Sequence, residues 1–267
     1  MTCINDPIPW ELWVCIANFS SECNYNLFFT NKKFFTLINH YKFNTNVIQY
    51  AVEQGNLDII KHINKLKMLK DPLINDEKFT SFGLQKYFLT SCYLGQLECI
   101  KYFVKCGANV RANNNEAIRT TVSNGPRTKL MLYFEYFGKG IQQGYMECIE
   151  FLVKCGANVQ AKNNEAIQSA SSLGHLECVK FLVRRKANVR ANDNYSVKIA
   201  SKKGHIEVVK FLVERGADVK AGNNCAVQWA SEMGHLEVVK FLVEKGADIK
   251  ADNNRAVQWA SRNGLAV

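Results

Sequence analysis

The chain has 267 residues, of which 47% are hydrophobic and 22% charged, and its formal net charge is +10. This composition can fill a packed core and excludes a disordered tail, and only 4 prolines and 16 glycines exclude collagen-like and linker-like chains. The N-terminus lacks the pattern of a signal peptide, and the most apolar run, residues 130–137, is too short to span a bilayer. These features predict a chain that is not secreted and has no membrane partner.

Residues 1–42 precede the repeats described below and predict a small helical segment. Pro9 suits a first helical turn, and Glu11 suits the positive end of a helix. The run Ile8-Pro9-Trp10-Glu11-Leu12, with a later Lys-Lys-Phe-Phe, resembles an F-box. The resemblance implies that a Skp1-type adaptor would contact Pro9, Leu12, Ile16 and Leu27. The alternative is a helical cap over the exposed end of the first repeat, and one segment could serve as both.

An internal repeat dominates the rest of the chain. Three nearly identical stretches, which read Gly-His-Leu/Ile-Glu-Cys/Val-Val-Lys-Phe-Leu-Val, begin at the evenly spaced Gly174, Gly204 and Gly234. Gly144 and Gly264 extend the same register by one step in each direction. Such a regular period is typical of stacked repeat architectures.

Each repeat predicts two short helices. Leu236, Val239 and Leu242 form one apolar stripe, and Gly246 ends that helix because glycine readily adopts a positive φ. A shorter helix precedes it, with small residues such as Ala256 on its buried face. In chain order the first helices are predicted near residues 46–54, 84–94, 115–124, 165–173, 195–203, 225–233 and 255–263. The second helices are predicted near residues 57–68, 97–106, 146–155, 176–185, 206–215 and 236–245.

The pattern Gly-His-Leu-Glu-Val-Val-x-x-Leu-Val-x-x-Gly-Ala-Asp resembles the ankyrin repeat, in the Asn-rich 30-residue form of giant amoebal DNA viruses of the mimivirus type. The resemblance implies an all-α ankyrin-type solenoid over residues 43–267, with about six repeats and a shortened last one, which binds protein in the cytoplasm of a host cell. Because each repeat is shorter than the usual length of about 33, we expect short turns in place of long β-hairpins.

Three positions depart from the regular repeat. Residues 126–144 are an insertion between the two helices of one repeat, which we favour. The alternative is that residues 127–137 are a degenerate second helix and that the following repeat has lost most of its first helix. Lys186 replaces a helix-ending glycine, so a positive φ there predicts that Lys186→Gly stabilises the protein by about 1 kcal/mol. The last repeat has no second helix, which predicts that Val257 is half covered.

Binding residues are expected on the first helices, at the position that the register turns outward. That position holds Tyr50, Thr90, Thr120, Ser169, Ile199, Trp229 and Trp259. We select four of these as candidate partner contacts on the concave face: Tyr50, Ile199, Trp229 and Trp259. The alternative is that the tryptophans lie flat on a neighbouring helix.

Other recurring residues favour structural roles. Each lysine of the series Lys101, Lys180, Lys210 and Lys240 follows a glutamate at helical spacing, which predicts ion pairs and makes nucleic-acid binding a weak hypothesis. Phenylalanines recur on the second helices at a spacing typical of packing residues. The ten cysteines include Cys99, Cys148 and Cys178 at positions where sister repeats carry valine, which indicates buried thiols in a reducing compartment. His175, His205 and His235 are predicted to be turn residues.

No catalytic, phosphate-binding or metal-binding motif is present in the sequence, so we expect neither an enzyme nor a cofactor. The function predicted first is a protein-binding scaffold. The alternative is a substrate-recruiting adaptor of a cullin–RING (SCF-type) ubiquitin ligase, acting through the F-box-like segment.

Overall fold

A computed structural model describes residues 81–124 and 138–264, together with six positions between 52 and 61. The chain divides into two compact units, residues 1–78 and 79–267. In the first unit, Val52 and Ile60 are buried, and Gly55 between them has a φ of 68°. The boundary predicted after residue 42 lies outside the described residues and stays a prediction.

The described part of the second unit consists of eleven helices and contains no strand. First helices of the repeats alternate with second helices, as predicted. The first helices are α1 (Ser81–Leu94), α3 (Ala112–Asn124), α5 (Ala161–Ser172), α7 (Ala191–Lys202), α9 (Ala221–Glu232) and α11 (Ala251–Arg262). The second helices are α2 (Leu97–Lys105), α4 (Gly138–Lys154), α6 (Leu176–Arg184), α8 (Ile206–Glu214) and α10 (Leu236–Glu244).

Helix α4 is longer than the other second helices. It begins at Gly138, well before the start predicted near residue 146, so the end of the 126–144 segment is helical and continuous with it. Residues 125–137 lie outside the described residues, and the choice between an insertion and a lost helix stays a prediction.

A left-handed turn opens the first helix of each of the last five repeats. In α7, the residues Asn192, Asp193 and Asn194 all have φ between 51° and 59°, and the right-handed helix follows them. Asparagine and aspartate tolerate this conformation better than other residues that carry a Cβ. Ahead of the turn, Asn188 Oδ1 accepts a hydrogen bond from the backbone N–H of Arg190 at 2.9 Å. This compact turn stands where we expected a short turn in place of a β-hairpin.

The third residue of the first four of these turns is a buried asparagine that binds the following repeat. Asn194 Oδ1, for example, accepts a hydrogen bond from the backbone N–H of Asp218 at 2.8 Å. Equivalent bonds of 2.7 Å join Asn115 to Asn158, Asn164 to Asn188, and Asn224 to Asp248. In the first described repeat, Gln85 replaces the asparagine and exchanges two hydrogen bonds of 3.0 Å with the backbone of Asn109. We call this series the asparagine ladder.

A second lateral contact joins the histidine of one repeat to the glycine of the repeat before it. His205 Nε2 lies 3.1 Å from the carbonyl oxygen of Ser172, and its ring occupies the space that a Cβ on Gly174 would need. His235 makes the same contacts with Lys202 and Gly204. These two histidines are therefore turn and packing residues, as predicted.

Tyr145 replaces the histidine in the repeat that contains α4. Its hydroxyl donates a hydrogen bond of 3.0 Å to the carbonyl oxygen of Tyr93, and its ring covers Gly95. Tyr145 thus occupies the position that the repeat register assigns to it once residues 126–144 are set aside.

The core runs between the two helices of each repeat and continues into the next repeat. Its largest fully buried side chains recur in register: Leu152, Leu182, Leu212 and Leu242 on the second helices, and Ile118, Ile167, Val197 and Val227 on the first helices. Alanines such as Ala200 and Ala230 let neighbouring first helices contact each other extensively, whereas neighbouring second helices touch less. The seam between repeats is therefore the hydrophobic core of the unit.

Lys186 has a φ of 71°, in the left-handed region that the glycines ending the neighbouring second helices also adopt. The condition attached to the Lys186→Gly prediction is therefore met. The Lys186 carbonyl accepts a hydrogen bond of 2.6 Å from Gln160 Nε2, a backbone contact that the substitution would leave in place.

Candidate protein-binding surface

The outward position of the first helices is partly exposed along the array. Ser169, Ile199, Trp229 and Trp259 are all half-buried, so each presents part of its side chain to solvent. We call these four residues the first-helix row. The row becomes more apolar and larger towards α11, where two tryptophans follow an isoleucine. Tyr50, and the F-box-like candidates Pro9, Leu12, Ile16 and Leu27, lie outside the described residues.

Trp229 contacts the preceding first helix through an aromatic pair. The ring of Tyr195 on α7 lies 6.5 Å from the Trp229 ring, centroid to centroid, at an interplanar angle of 86°. Lys202 Nζ lies over the Trp229 ring, 5.2 Å from its centroid. The two rings are nearly perpendicular, so the indole does not stack flat on the tyrosine. These two contacts restrict the orientation of the indole ring.

Trp259 sits in a similar setting one repeat later. The guanidinium carbon of Arg262 lies 4.9 Å from its ring centroid. Helix α11 also leaves Val257 exposed by 40%, whereas the equivalent Val197 and Val227 are fully buried. The prediction that Val257 is half covered is confirmed.

The residue before each row position ties the first helix to its own left-handed turn. Gln168, Gln228 and Gln258 donate hydrogen bonds of 2.7–3.0 Å to the carbonyl of the second turn residue. Lys198 replaces the glutamine in α7 and pairs instead with the Asp193 carboxylate. These bonds fix the backbone next to the row, and the recurrence of this glutamine in three of the last four repeats is the sequence signal for them.

The second helices carry the predicted ion pairs on their solvent side. Lysine Nζ lies 2.7–2.9 Å from a glutamate oxygen in three pairs: Glu98–Lys101, Glu177–Lys180 and Glu207–Lys210. The fourth predicted pair, Glu237–Lys240, does not form, although both residues are described. Phe181 is buried, whereas Phe151, Phe211 and Phe241 are half-buried.

The described thiols that replace valine are buried, as predicted. Cys99, Cys148 and Cys178 are at most 4% exposed. Burial raises the pKa of the Cys178 thiol from 9.0 to about 12, because the apolar surroundings disfavour the thiolate. Burial likewise raises the pKa of Cys148 to about 12, and neighbouring Glu147 adds to the rise.

The described residues contain no group of three side chains that could hold a metal ion. In the same part of the chain, no helix is both long enough and apolar enough to cross a bilayer.

Comparisons with known proteins agree with this architecture. The family model for ankyrin repeats in three copies matches residues 139–194 and 193–253. Two ankyrin repeat proteins of Acanthamoeba polyphaga mimivirus are 41% identical over 117 residues and 42% identical over 113 residues. These matches cover 44% and 42% of this chain, and 54% and 49% of the relatives.

A third ankyrin repeat protein of the same virus is 33% identical over 113 residues, which is 42% of this chain and 44% of the relative. The chain thus spans about half the length of the curated relatives it matches. The spacing, the paired helices and the family model all assign residues 139–253 to the same architecture. The chain therefore contains ankyrin repeats and is similar to the mimivirus proteins that carry them.

Proposed function

We propose that the chain is a non-catalytic scaffold that binds a partner protein on the face formed by its first helices and turns. The observation that carries the proposal is the partly exposed aromatic surface of Trp229 and Trp259 within an otherwise regular stack. Large aromatic side chains at the centre of a contact are the residues that contribute most to protein interfaces.

The packing of the array supports the choice of this face. Neighbouring first helices contact each other more than neighbouring second helices do. A stack that is tighter on one side curves towards that side, and the tighter side becomes the concave binding surface of a repeat array. Ile199, Trp229 and Trp259 would then line the concave face, next to Lys202 and Arg262.

The test is site-specific photocrosslinking in an amoebal lysate. A photoreactive phenylalanine analogue at position 229 or 259 should capture the same partner, whereas the analogue at exposed Val243 on α10 should not. Capture of one partner from all three positions, or of different proteins from 229 and 259, would contradict a specific first-helix site.

With a partner in hand, Trp229→Ala should weaken binding by about 2 kcal/mol, which corresponds to about thirtyfold in Kd. The melting temperature should fall little, because the ring is half-buried. A large loss of stability with unchanged affinity would identify Trp229 as a core residue that packs on its neighbouring helix.

The F-box-like segment supports a second proposal, in which the chain recruits that partner to an SCF-type ubiquitin ligase. The support for it is the F-box-like sequence spacing of Pro9, Leu12, Ile16 and Leu27. A purified Skp1-type adaptor should bind the full chain, and the double variant Leu12→Asp and Ile16→Asp should not bind. No binding by the unmutated chain would leave the helical cap as the role of this segment. Either function would place the chain in the host cytoplasm.

A further inference from the structure

The outer side of the second helices carries a groove that the scaffold function does not use. It has a volume of about 780 Å³ and lies across α2, α4 and α6. Half-buried Phe151 and Leu97 contribute its exposed apolar surface, and buried Phe181 also lines it. The groove lies where α4 and α6 contact each other less than the other neighbouring second helices do.

Charge is distributed unevenly around this groove. Lys154, Arg184 and Arg185 lie at the carboxyl ends of α4 and α6, whereas Glu147 and Glu150 lie on α4 towards its middle. The remaining charged residue of the lining, Lys101 on α2, is paired with Glu98. Lys154 and Arg184 pair with no carboxylate among the described residues, and both are exposed. Arg185 lies over the Phe181 ring, with its guanidinium carbon 5.2 Å from the centroid. The apolar surface is therefore bordered at one end by three cations.

The charge of the last residue of each second helix changes from positive to negative along the array. The last residue of the second helices is, in order, Lys105, Lys154, Arg184, Glu214 and Glu244. The residue whose backbone N–H donates the ladder bond to the preceding repeat changes at the same point, from Asn109, Asn158 and Asn188 to Asp218 and Asp248. Cations at helix carboxyl ends also offset the helix dipole, and in α8 and α10 the capping residues Arg215 and Lys245 supply one. Helix α6 differs from these two helices in carrying a second cation, Arg184, beside Arg185.

We propose that this groove binds an acidic segment of a partner protein. An apolar side chain of the segment would contact Phe151 and Leu97, and its carboxylates would pair with Lys154, Arg184 and Arg185. Guanidinium groups suit this role because they bind carboxylates through two parallel hydrogen bonds. The groove is on the second helices, so this proposal does not depend on whether the first-helix row binds a partner.

The test uses the full chain and a short fluorescein-labelled peptide in which a Leu-Phe pair is flanked by glutamates, followed by fluorescence anisotropy at physiological ionic strength. The variant is the double reversal Arg184→Glu with Arg185→Glu. The matched control is Arg215→Glu with Lys245→Glu, which makes the same change in net charge. The control residues also lie over phenylalanine rings, at 5.0 Å from Phe211 and 5.6 Å from Phe241.

The acidic peptide should bind the unmutated chain, and the groove variant should weaken binding by at least about tenfold, because two pairs are lost and replaced by repulsion. The control should change the Kd by less than about twofold, since its charges are outside the groove. Thermal melting of both variants should remain close to that of the unmutated chain, and Glu214 and Glu244 already show that glutamate is accepted at the position of Arg184.

Several outcomes would overturn the proposal. They are no binding up to millimolar peptide, an equal loss in the control variant, and equal binding of a peptide with alanines in place of Leu-Phe. Equal or tighter binding of single-stranded polyuridylate would instead identify a non-specific polyanion site. A Trp229→Ala variant should bind the acidic peptide normally, and its failure to do so would mean that the peptide occupies the first-helix row.

Discussion

The asparagine that ends each left-handed turn performs two tasks with one side chain. It adopts a positive φ that few residues with a Cβ tolerate, and its Oδ1 satisfies a backbone N–H of the next repeat. Asn194 is buried while doing so, whereas the chemically identical Asn254 in α11 is exposed. Asn254 is therefore a control, within the same chain, for the contribution of the ladder bond to stability.

Asn194→Ala should destabilise the protein by about 1–2 kcal/mol more than Asn254→Ala does. Both substitutions place alanine at a φ of 59°, so the backbone strain is the same. Only Asn194→Ala leaves the N–H of Asp218 without its acceptor. Urea denaturation of the two variants measures the difference, and equal losses would mean that the lateral bond contributes nothing net.

The buried thiols make stability sensitive to high pH. Because the pKa of Cys178 is about 12 in the folded state and 9.0 in the ordinary state, only the unfolded chain ionises there between these values. Stability therefore falls as the pH rises above about 9, by at most about 1.4 kcal/mol per pH unit for one such thiol.

Cys178→Val should reduce this alkaline loss and leave the stability near pH 7 within about 1 kcal/mol, because Val208 and Val238 fill the same position in sister repeats. Urea denaturation at about pH 8 and about pH 10 measures the loss of stability between the two pH values, with Cys106→Ser at an exposed cysteine as the control. An unchanged slope in Cys178→Val would show that the thiol is not the source of the loss.

At the scale of the helix pair, the glycine between the two helices serves the next repeat as well as its own turn. Gly204 has a φ of 75° and lies under the ring of His235, whereas Gly234 has a φ of 77° and no described atom within 4 Å of its Cβ position. Both glycines have a positive φ, but only at Gly204 would an added Cβ clash with a neighbouring side chain.

Gly204→Ala should therefore cost about 1–3 kcal/mol more than Gly234→Ala, because the added methyl would lie 2.6 Å from His235 Nδ1. The common part of both losses reports the strain of alanine at positive φ, about 1 kcal/mol. Melting curves of the two glycine variants measure this difference in stability. In a His235→Ala background, the two substitutions should cost the same.

Helix positions were predictable because leucine and valine recur on one stripe in every repeat, and the predicted 236–245 nearly coincides with Leu236–Glu244. The left-handed turn was harder to predict. Asn-Asn indicated a turn, but three successive left-handed residues also have hydrogen-bond partners beyond the turn. These are Gln228 in the helix that follows and the N–H of Asp248 in the next repeat. The half-exposure of Trp229 followed from the register, whereas its contact with Tyr195 could not, since other repeats carry no tyrosine there.

For the described array as a whole, each repeat derives its stability from the neighbours on both sides. Helix α11 contacts α9 on one side, and among the described residues it has neither a second helix nor a following repeat. Its Val257, Asn254 and Gln258 are exposed, although their equivalents in α9 are buried.

Amide hydrogen exchange should consequently be fastest in α11 and slowest in α7 and α9. Local opening of α11 breaks one interface, whereas opening of α7 breaks two. Mass spectrometry of peptides from these helices measures the order. Equal protection throughout would indicate that the unit unfolds as a single cooperative body.

The asparagine ladder also bears on how such chains change length. Every repeat from α3 to α9 offers the same oxygen acceptor to the repeat after it, and from α5 onward each offers the same amide donor to the repeat before it. Excising residues 195–224 would therefore join Asn194 to Cys225 and present the Asn194 amide oxygen to Asp248 in the geometry that Asn224 now uses. Unequal recombination between gene segments that each encode one whole repeat would thus yield shorter or longer proteins that still fold.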